Sequence, residues 1–308
     1  MHEHLQREIE EPVILGTGAA LVVDDACWAY FPNPVRGVLG TVLVWAQSRG
    51  ATQTNLIVDT GDTALAFTAT GFGSPAPVIW QAIERSLQRV DAQIPTIPAP
   101  PDCPQSTAML SSLGLEIVAD HGVWLGEFNG LELARVGLRD DVCELDIGVG
   151  AYDQFASAAL NLDRDDKSAL EVVLSMVKPH RIPGAVPHPM GRLVRSRWLR
   201  AQLITEPGLI GLTSLNPIPL LIARPGLVEA QPAAGVGVGA DGEDVLLVCS
   251  TGIDLGVVET AAGLAALTEP QRIIVAMPKR DHHRRIAESL TLLSVSAELV
   301  AIDGAWSD

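Results

Sequence analysis

Near the C-terminus the hydrophobic pattern switches period four times, and this constrains the fold more than any other feature of the chain. Val245–Cys249, Arg272–Met277 and Glu298–Ile302 are short apolar runs of strand length. Between them, Leu255–Leu267 and Asp281–Leu293 carry apolar residues at helical spacing. A strand–helix–strand–helix–strand order predicts a parallel sheet with right-handed crossovers.

The N-terminal third alternates in a similar way. Ala20–Val23, Trp28–Phe31, Thr54–Val58 and Val78–Ile83 read as strands. Val35–Ser48 reads as a helix, with Pro34 near its first turn and Gly50 closing it, and Thr63–Thr70 as a short second helix. Pro95, Pro98, Pro100, Pro101 and Pro104 then form a run that suits neither a helix interior nor a central strand, so it reads as a stiff linker.

Beyond the linker the signals are β-rich. Leu115–Ala119, Val123–Phe128, Leu131–Val136 and Val142–Val149 are strands. Asn129-Gly130 between two of them is a strong hairpin signal, because both turn residues need φ > 0. Asp153–Leu160, Ser168–Val177 and Arg192–Leu203 read as helices. Leu209–Pro225 is apolar and proline-punctuated, and Gly235, Gly237, Gly239 and Gly242 read as a flexible connection. The fold class is therefore α/β: N-terminal and C-terminal Rossmann-like β-α-β units flank a central β-rich α+β region. The expected domains are residues 1–94, a Pro-rich linker over 95–110, a central domain over 111–230 and a C-terminal unit over 231–308.

Composition narrows the function classes. With 47% hydrophobic residues in 308, the chain is neither disordered nor collagen-like, and it is large enough to need no disulfide framework. The 21 basic and 37 acidic residues give a net charge of −16, which opposes non-specific binding to nucleic acid or anionic membrane. No apolar run of the N-terminal segment is long enough to span a bilayer, and the polar, acidic start is unlike a signal peptide. Cys27, Cys103, Cys143 and Cys249 are far apart with no CxxC, so four reduced thiols and a cytoplasmic location are expected.

Against that charge, one stretch stands out. Lys178, Arg181, Arg192, Arg195, Arg197 and Arg200 lie where no acid occurs between Glu171 and Glu206. His180 and His188 fall inside it, with His188 held extended between Pro187 and Pro189. On one helix, Arg192 and Arg195 share a face and Arg197 and Arg200 share another. Arg181, His188, Arg192 and Arg195 are the expected phosphate contacts, with Trp198 as a stacking surface. The alternative is that these arginines pair with acidic groups of the protein itself.

A second set is acidic: Asp120, Glu127, Glu132, Asp146 and Asp153. A two-residue turn at Asn129-Gly130 places Glu127 opposite Glu132, with Cβ atoms roughly 5 Å apart. Like charges so placed need a neutralising partner, either a divalent cation or an arginine. Read with a cation, Glu127, Glu132 and Asp146 are catalytic ligands for Mg²⁺ or Mn²⁺ in a phosphoesterase. Over about Leu115–Leu160 the arrangement is faintly similar to the restriction-endonuclease-like nucleases. There an acid precedes an acid-x-Lys on the next strand, but Glu144-Leu145-Asp146-Ile147-Gly148 supplies no lysine, and the chain is not identified as a member.

Ser250-Thr251-Gly252 follows a strand and precedes a helix, a turn whose N–H groups can cradle phosphate or whose hydroxyls can cap the helix. Lys279-Arg280-Asp281-His282-His283-Arg284-Arg285 is a charged run in which Asp281 is the expected helix cap. Three readings stand. One is a metal-dependent phosphoesterase or nuclease-like enzyme. The second is a non-catalytic nucleotide sensor or scaffold. The third is an ion-pair network between domains.

Overall fold

The computed structural model describes residues 11–149, 165–223, 226–227, 229–254 and 256–307. The expected helix over Asp153–Leu160, and the Asp153 carboxylate with it, lie outside these. Contacts divide the chain into two compact units. The first comprises Met1–Pro95, Asp254–Ile273 and His283–Glu298; the second comprises Thr96–Ile253, Ile274–His282 and Leu299–Asp308. Both draw on the C-terminal segment. The protein is mixed α/β, and among the described residues no helix is long and apolar enough to cross a membrane.

The first unit holds a six-stranded sheet in the order β1 (Val13–Leu15), β2 (Gly18–Val23), β3 (Ala26–Tyr30), β4 (Gln53–Val58), β5 (Val78–Ile83) and β6 (Ser86–Arg89). The β3, β4 and β5 strands are parallel, and the outer pairs are antiparallel. Helices α1 (Val38–Ser48) and α2 (Thr63–Ala69) make the crossovers that parallel pairing demands. Asp62 caps α2 by accepting from the Leu65 N–H. Gly37, the N-cap of α1, has no side chain, and the buried Glu259 carboxylate, on the later helix α7 (Gly256–Thr268), caps it by accepting from the Gly37 and Leu39 N–H groups.

In the second unit β7 (Glu116–Asp120), β8 (Val123–Phe128), β9 (Leu131–Arg139) and β10 (Val142–Ile147) form an antiparallel meander, of which the sequence predicts the four strands and the β8–β9 hairpin. Asn129 (φ 47°) and Gly130 (φ 74°) make the expected turn. The linker prolines end at α3 (Pro104–Ser112), where Pro104 occupies the first turn and loses no hydrogen bond. Helix α4 (Asp166–Val177) follows, its first turn capped by Asp165. Leu110, Leu131, Leu133, Val136, Leu170 and Val173 form the core of this region.

The last sheet runs β11 (Leu212–Ile218), β12 (Ala233–Gly239), β13 (Asp244–Cys249), β14 (Arg272–Met277) and β15 (Ala297–Ala301). Its first pairs are antiparallel, and β12 is the glycine run read above as a flexible connection. A Cβ on Gly235 would lie 2.8 Å from the Asn216 carbonyl oxygen, and one on Gly237 would strike that of Ser214. Glycine at alternate positions thus admits a close neighbour rather than loosening the chain. Pro217 is tolerated because β11 is an edge strand.

The predicted basic helix is broken. Pro189–Arg192 forms the single turn α5, Leu193 is extended, Val194 turns left-handed (φ 40°), and α6 runs from Arg195 to Thr205. Arg192 and Arg195 therefore share no helical face. The α6 helix buries Trp198, Leu199 and Leu203 against Leu212, Leu215, Val245, Leu247 and Ile274. Trp306 meets Trp198 edge-on at 6.5 Å.

Candidate functional site

The site begins at the Asn-Gly turn. The Asn129 carbonyl accepts from Arg181 Nε (3.2 Å) and Nη2 (2.9 Å), and the Asn129 amide donates back to the Arg181 carbonyl at 2.6 Å. Arg181 Nη1 donates to the carbonyls of Met190 (3.0 Å) and Leu193 (2.8 Å), and its guanidinium stands 4.7 Å above the Trp198 ring. Arg181 is fully buried. Burial pushes its guanidinium down to about 9, against a smaller upward pull from Glu127, so it is still charged at neutral pH. The expected role of Arg181 as a phosphate contact loses its basis: four of its five N–H groups are on main-chain carbonyls, and it fixes the loop instead. Gly130 completes the fit, since a Cβ there would stand 2.5 Å from the Arg197 carbonyl oxygen.

That loop carries a pocket of about 150 Å³. His180, His188, Arg192, Arg195 and Trp198 line it together with apolar and glycine residues, and no acid is among its described lining. The two imidazoles stack at 3.7 Å with 13° between planes. His188 is the N-cap of α5, where its Nδ1 accepts from the Met190 N–H at 3.3 Å. The neutral ring's proton therefore sits on Nε2. Arg192 and Arg195 reach one pocket from two helices because Val194 breaks the chain between them. A β-branched residue at φ 40° is strained, and its Leu193 neighbour is pinned by Arg181. The α6 helix starts there without a side-chain cap, so its positive end adds to the field.

The acidic set has a different fate. Glu127 and Glu132 are cross-strand partners as predicted, beside a bulge at Gly126. Their neutralising partners are arginines. Glu127 Oε1 accepts from Arg197 Nη1 at 2.5 Å and Oε2 from Arg200 Nη2 at 2.7 Å, all buried. Glu132 binds Arg135 through both oxygens, at 3.0 and 3.2 Å. Asp146 sits on β10 opposite Arg135 and does not join the pair. The use of Glu127, Glu132 and Asp146 as Mg²⁺ or Mn²⁺ ligands therefore loses its geometric basis. Among the described residues, no group of three or more His, Cys, Asp or Glu could hold a metal ion.

Sequence reasoning placed Asp120 in the acidic set but missed two members of this network, His121 and Glu116. Arg197 Nη2 also donates to Asp120 at 2.9 Å, and Asp120 receives His121 Nδ1 at 2.7 Å. Burial works to raise the Asp120 carboxyl, but Arg197 and His121 outweigh it and hold it below its ordinary value. Burial raises Glu116, beyond what Arg200 and Arg197 recover, and one of its oxygens is buried without a hydrogen bond. Glu116 shares β7 with Asp120, which is its one signal in the sequence, and His121 directly follows Asp120.

The Ser250–Gly252 turn is already occupied. The Gly252 N–H donates to Asp281 at 2.7 Å, the Ser250 N–H donates to the Ala276 carbonyl at 3.0 Å, and Thr251 stands 3.4 Å from the Ser196 hydroxyl. The protein's own carboxylate thus holds the place proposed for a phosphate at Ser250, Thr251 and Gly252. It follows that Asp281 is not the cap of α8 (Arg284–Leu290); His283 is. Cys103 and Cys143 form a disulfide with Cα atoms 5.9 Å apart, so the expectation of four reduced thiols is overturned. Cys27 and Cys249 are buried thiols, and burial pushes Cys27 up to about 11.

No family model, curated protein or solved structure matches this chain. The geometry carries the functional argument by itself.

Proposed function

We propose that the chain binds a phosphate-bearing small molecule in the pocket of His180, His188, Arg192 and Arg195. One observation carries this reading: four side chains able to donate as cations or N–H groups converge on about 150 Å³ with no acid in the described lining. Guanidinium forks and the His188 Nε2–H suit the oxygens of a phosphoryl group. The volume suits a terminal phosphoryl better than a nucleic-acid strand, which needs an open cationic strip. The reading is one of binding and calls on no metal, because Glu127 and Glu132 already have arginine partners.

The test is thermal stability with inorganic phosphate against chloride at matched ionic strength. A ligand of the native state raises the melting temperature by mass action. Arg192→Glu should abolish the phosphate shift. His188→Asn, which keeps a capping side chain but removes Nε2, should weaken it. A phosphate shift equal to that of chloride, or one that survives Arg192→Glu, refutes the reading.

A further inference from the structure

The geometry points to a second binding site, on the first unit, for a small organic monoanion with an aromatic or aliphatic body. A groove of about 500 Å³ lies between the C-terminal half of α1, the Leu15 end of β1 and the first turns of α8. This volume falls in the range of about 300–1,000 Å³ that small-molecule sites occupy. Thr41, Val44, Trp45 and Ser48 recur at helical spacing, which places them on one face of α1.

The wall and the rim differ in chemistry. Leu15, Val44 and Trp45 supply apolar surface. Arg49 already lies 5.5 Å over the Trp45 ring, and Arg284 is tied to Glu288 at 2.7 Å. The Thr41 and Ser48 hydroxyls are spent on carbonyls of their own helix. That leaves the Arg285 guanidinium and the Gln47 amide, both exposed and both without a side-chain partner among the described residues. A guanidinium and a primary amide facing one groove suit a carboxylate or sulfonate. Charge complementarity selects an anion, since Glu288, the one acid of the described lining, is neutralised by Arg284. The apolar wall selects a body that water solvates poorly. The site is independent of the phosphate pocket, whose lining lies wholly in the other unit.

The probe is anilinonaphthalene sulfonate, an aromatic monoanion, compared with N-phenylnaphthylamine, the same ring system without the sulfonate. Both are titrated into the full chain, with probe emission and melting temperature as readouts. The expected result is one saturable sulfonate site. Arg285→Glu should weaken it by about tenfold, the scale of one charged hydrogen bond, and leave the neutral amine little changed. Trp45→Ala should weaken both probes, and Arg192→Glu neither. The proposal is overturned if the sulfonate shows no saturable site, if Arg285→Glu binds it as wild type does, or if Arg192→Glu removes it.

Discussion

Asn129 and Arg181 grip each other's main chain across 52 residues of sequence: the Arg181 guanidinium donates twice to the Asn129 carbonyl, and the Asn129 amide donates to the Arg181 carbonyl. The first residue is the tip of a hairpin, and the second opens the loop that carries the cationic pocket. The turn conformation that the sequence demands of Asn129 also aims its carbonyl at Arg181. Since Arg181 Nη1 fixes Met190 and Leu193, one side chain sets the path of the loop between His180 and Arg195.

Arg181→Lys tests that role. Lysine keeps the charge but replaces a planar fork with a point, which cannot reach carbonyls on both sides of the site. The expected loss is about 2–4 kcal/mol in urea unfolding, the scale of several buried donors and acceptors left unmet. Phosphate affinity should fall as well, although Arg181 does not line the pocket. Wild-type stability in Arg181→Lys would show that the loop has another anchor.

The two carboxylates beside the hairpin should separate sharply in energy. Glu127→Gln leaves Arg197 and Arg200 as buried cations short of a partner, at a cost of about 3–5 kcal/mol. Glu132 is itself buried, but its Arg135 is more than a third exposed, so Glu132→Gln strands no buried cation and should cost less, about 1–2 kcal/mol. Chemical denaturation of both variants is the measurement. Equal losses would mean that Glu132 carries more of the network than its Arg135 pair accounts for. Mg²⁺ and EDTA should leave either midpoint unchanged.

Much of this architecture was legible from sequence, and the failures share a cause. The Asn129-Gly130 hairpin and the Glu127–Glu132 pairing follow from local turn chemistry and strand period, which act over a few residues. Arg135, three residues from Glu132, lies within that local reach, whereas the partners of Glu127 do not, because Arg197 and Arg200 arrive from 70 or more residues away. The α5–α6 break at Val194 was illegible for the same reason: nothing local in Arg192-Leu193-Val194-Arg195 breaks a helix, and the strain is imposed by the anchored loop. Gly235 and Gly237 did carry a local signal, a period of two with valines between. It reads as a strand only once a close neighbour such as β11 is known.

Acid and neutral pH should move stability in opposite senses through Asp120 and Glu116. The Asp120 carboxyl is held below its ordinary value of 3.8, so the stability it contributes is full above that value and is lost as pH falls through its lower folded value. The Glu116 carboxyl is raised above its ordinary 4.5, so its contribution is full below 4.5 and is lost as pH rises through its higher folded value. Glu116→Gln should therefore raise stability at pH 7, by about 1 kcal/mol on the scale of one unmet buried polar group, and lose that advantage near pH 4. Melting curves of wild type and variant across this range decide it. A variant less stable at pH 7 would mean that the Arg200 and Arg197 charges need the ionised Glu116.

The Cys103–Cys143 disulfide closes a loop of 40 residues that contains α3, β7, β8 and β9. On the chain-entropy account, such a loop stabilises by about 4 kcal/mol, chiefly by restricting the unfolded chain. It joins the N-cap of α3 to β10, an edge strand whose outer side has no partner in the four-stranded sheet. Cys143 is exposed, so a dithiol reductant should reach the bond without unfolding, whereas Cys27 and Cys249 stay sealed in the core. Alkylation of the denatured, unreduced chain should thus label two cysteines, and prior treatment of the folded protein with dithiothreitol should raise that to four. The reduced protein and Cys143→Ser should melt at the same temperature, below that of the oxidised wild type. Four labels without reductant would mean that the bond does not form in the purified protein, restoring the argument from free thiols to a reducing compartment. Two labels remove that argument and leave the compartment to be set by where this bond survives.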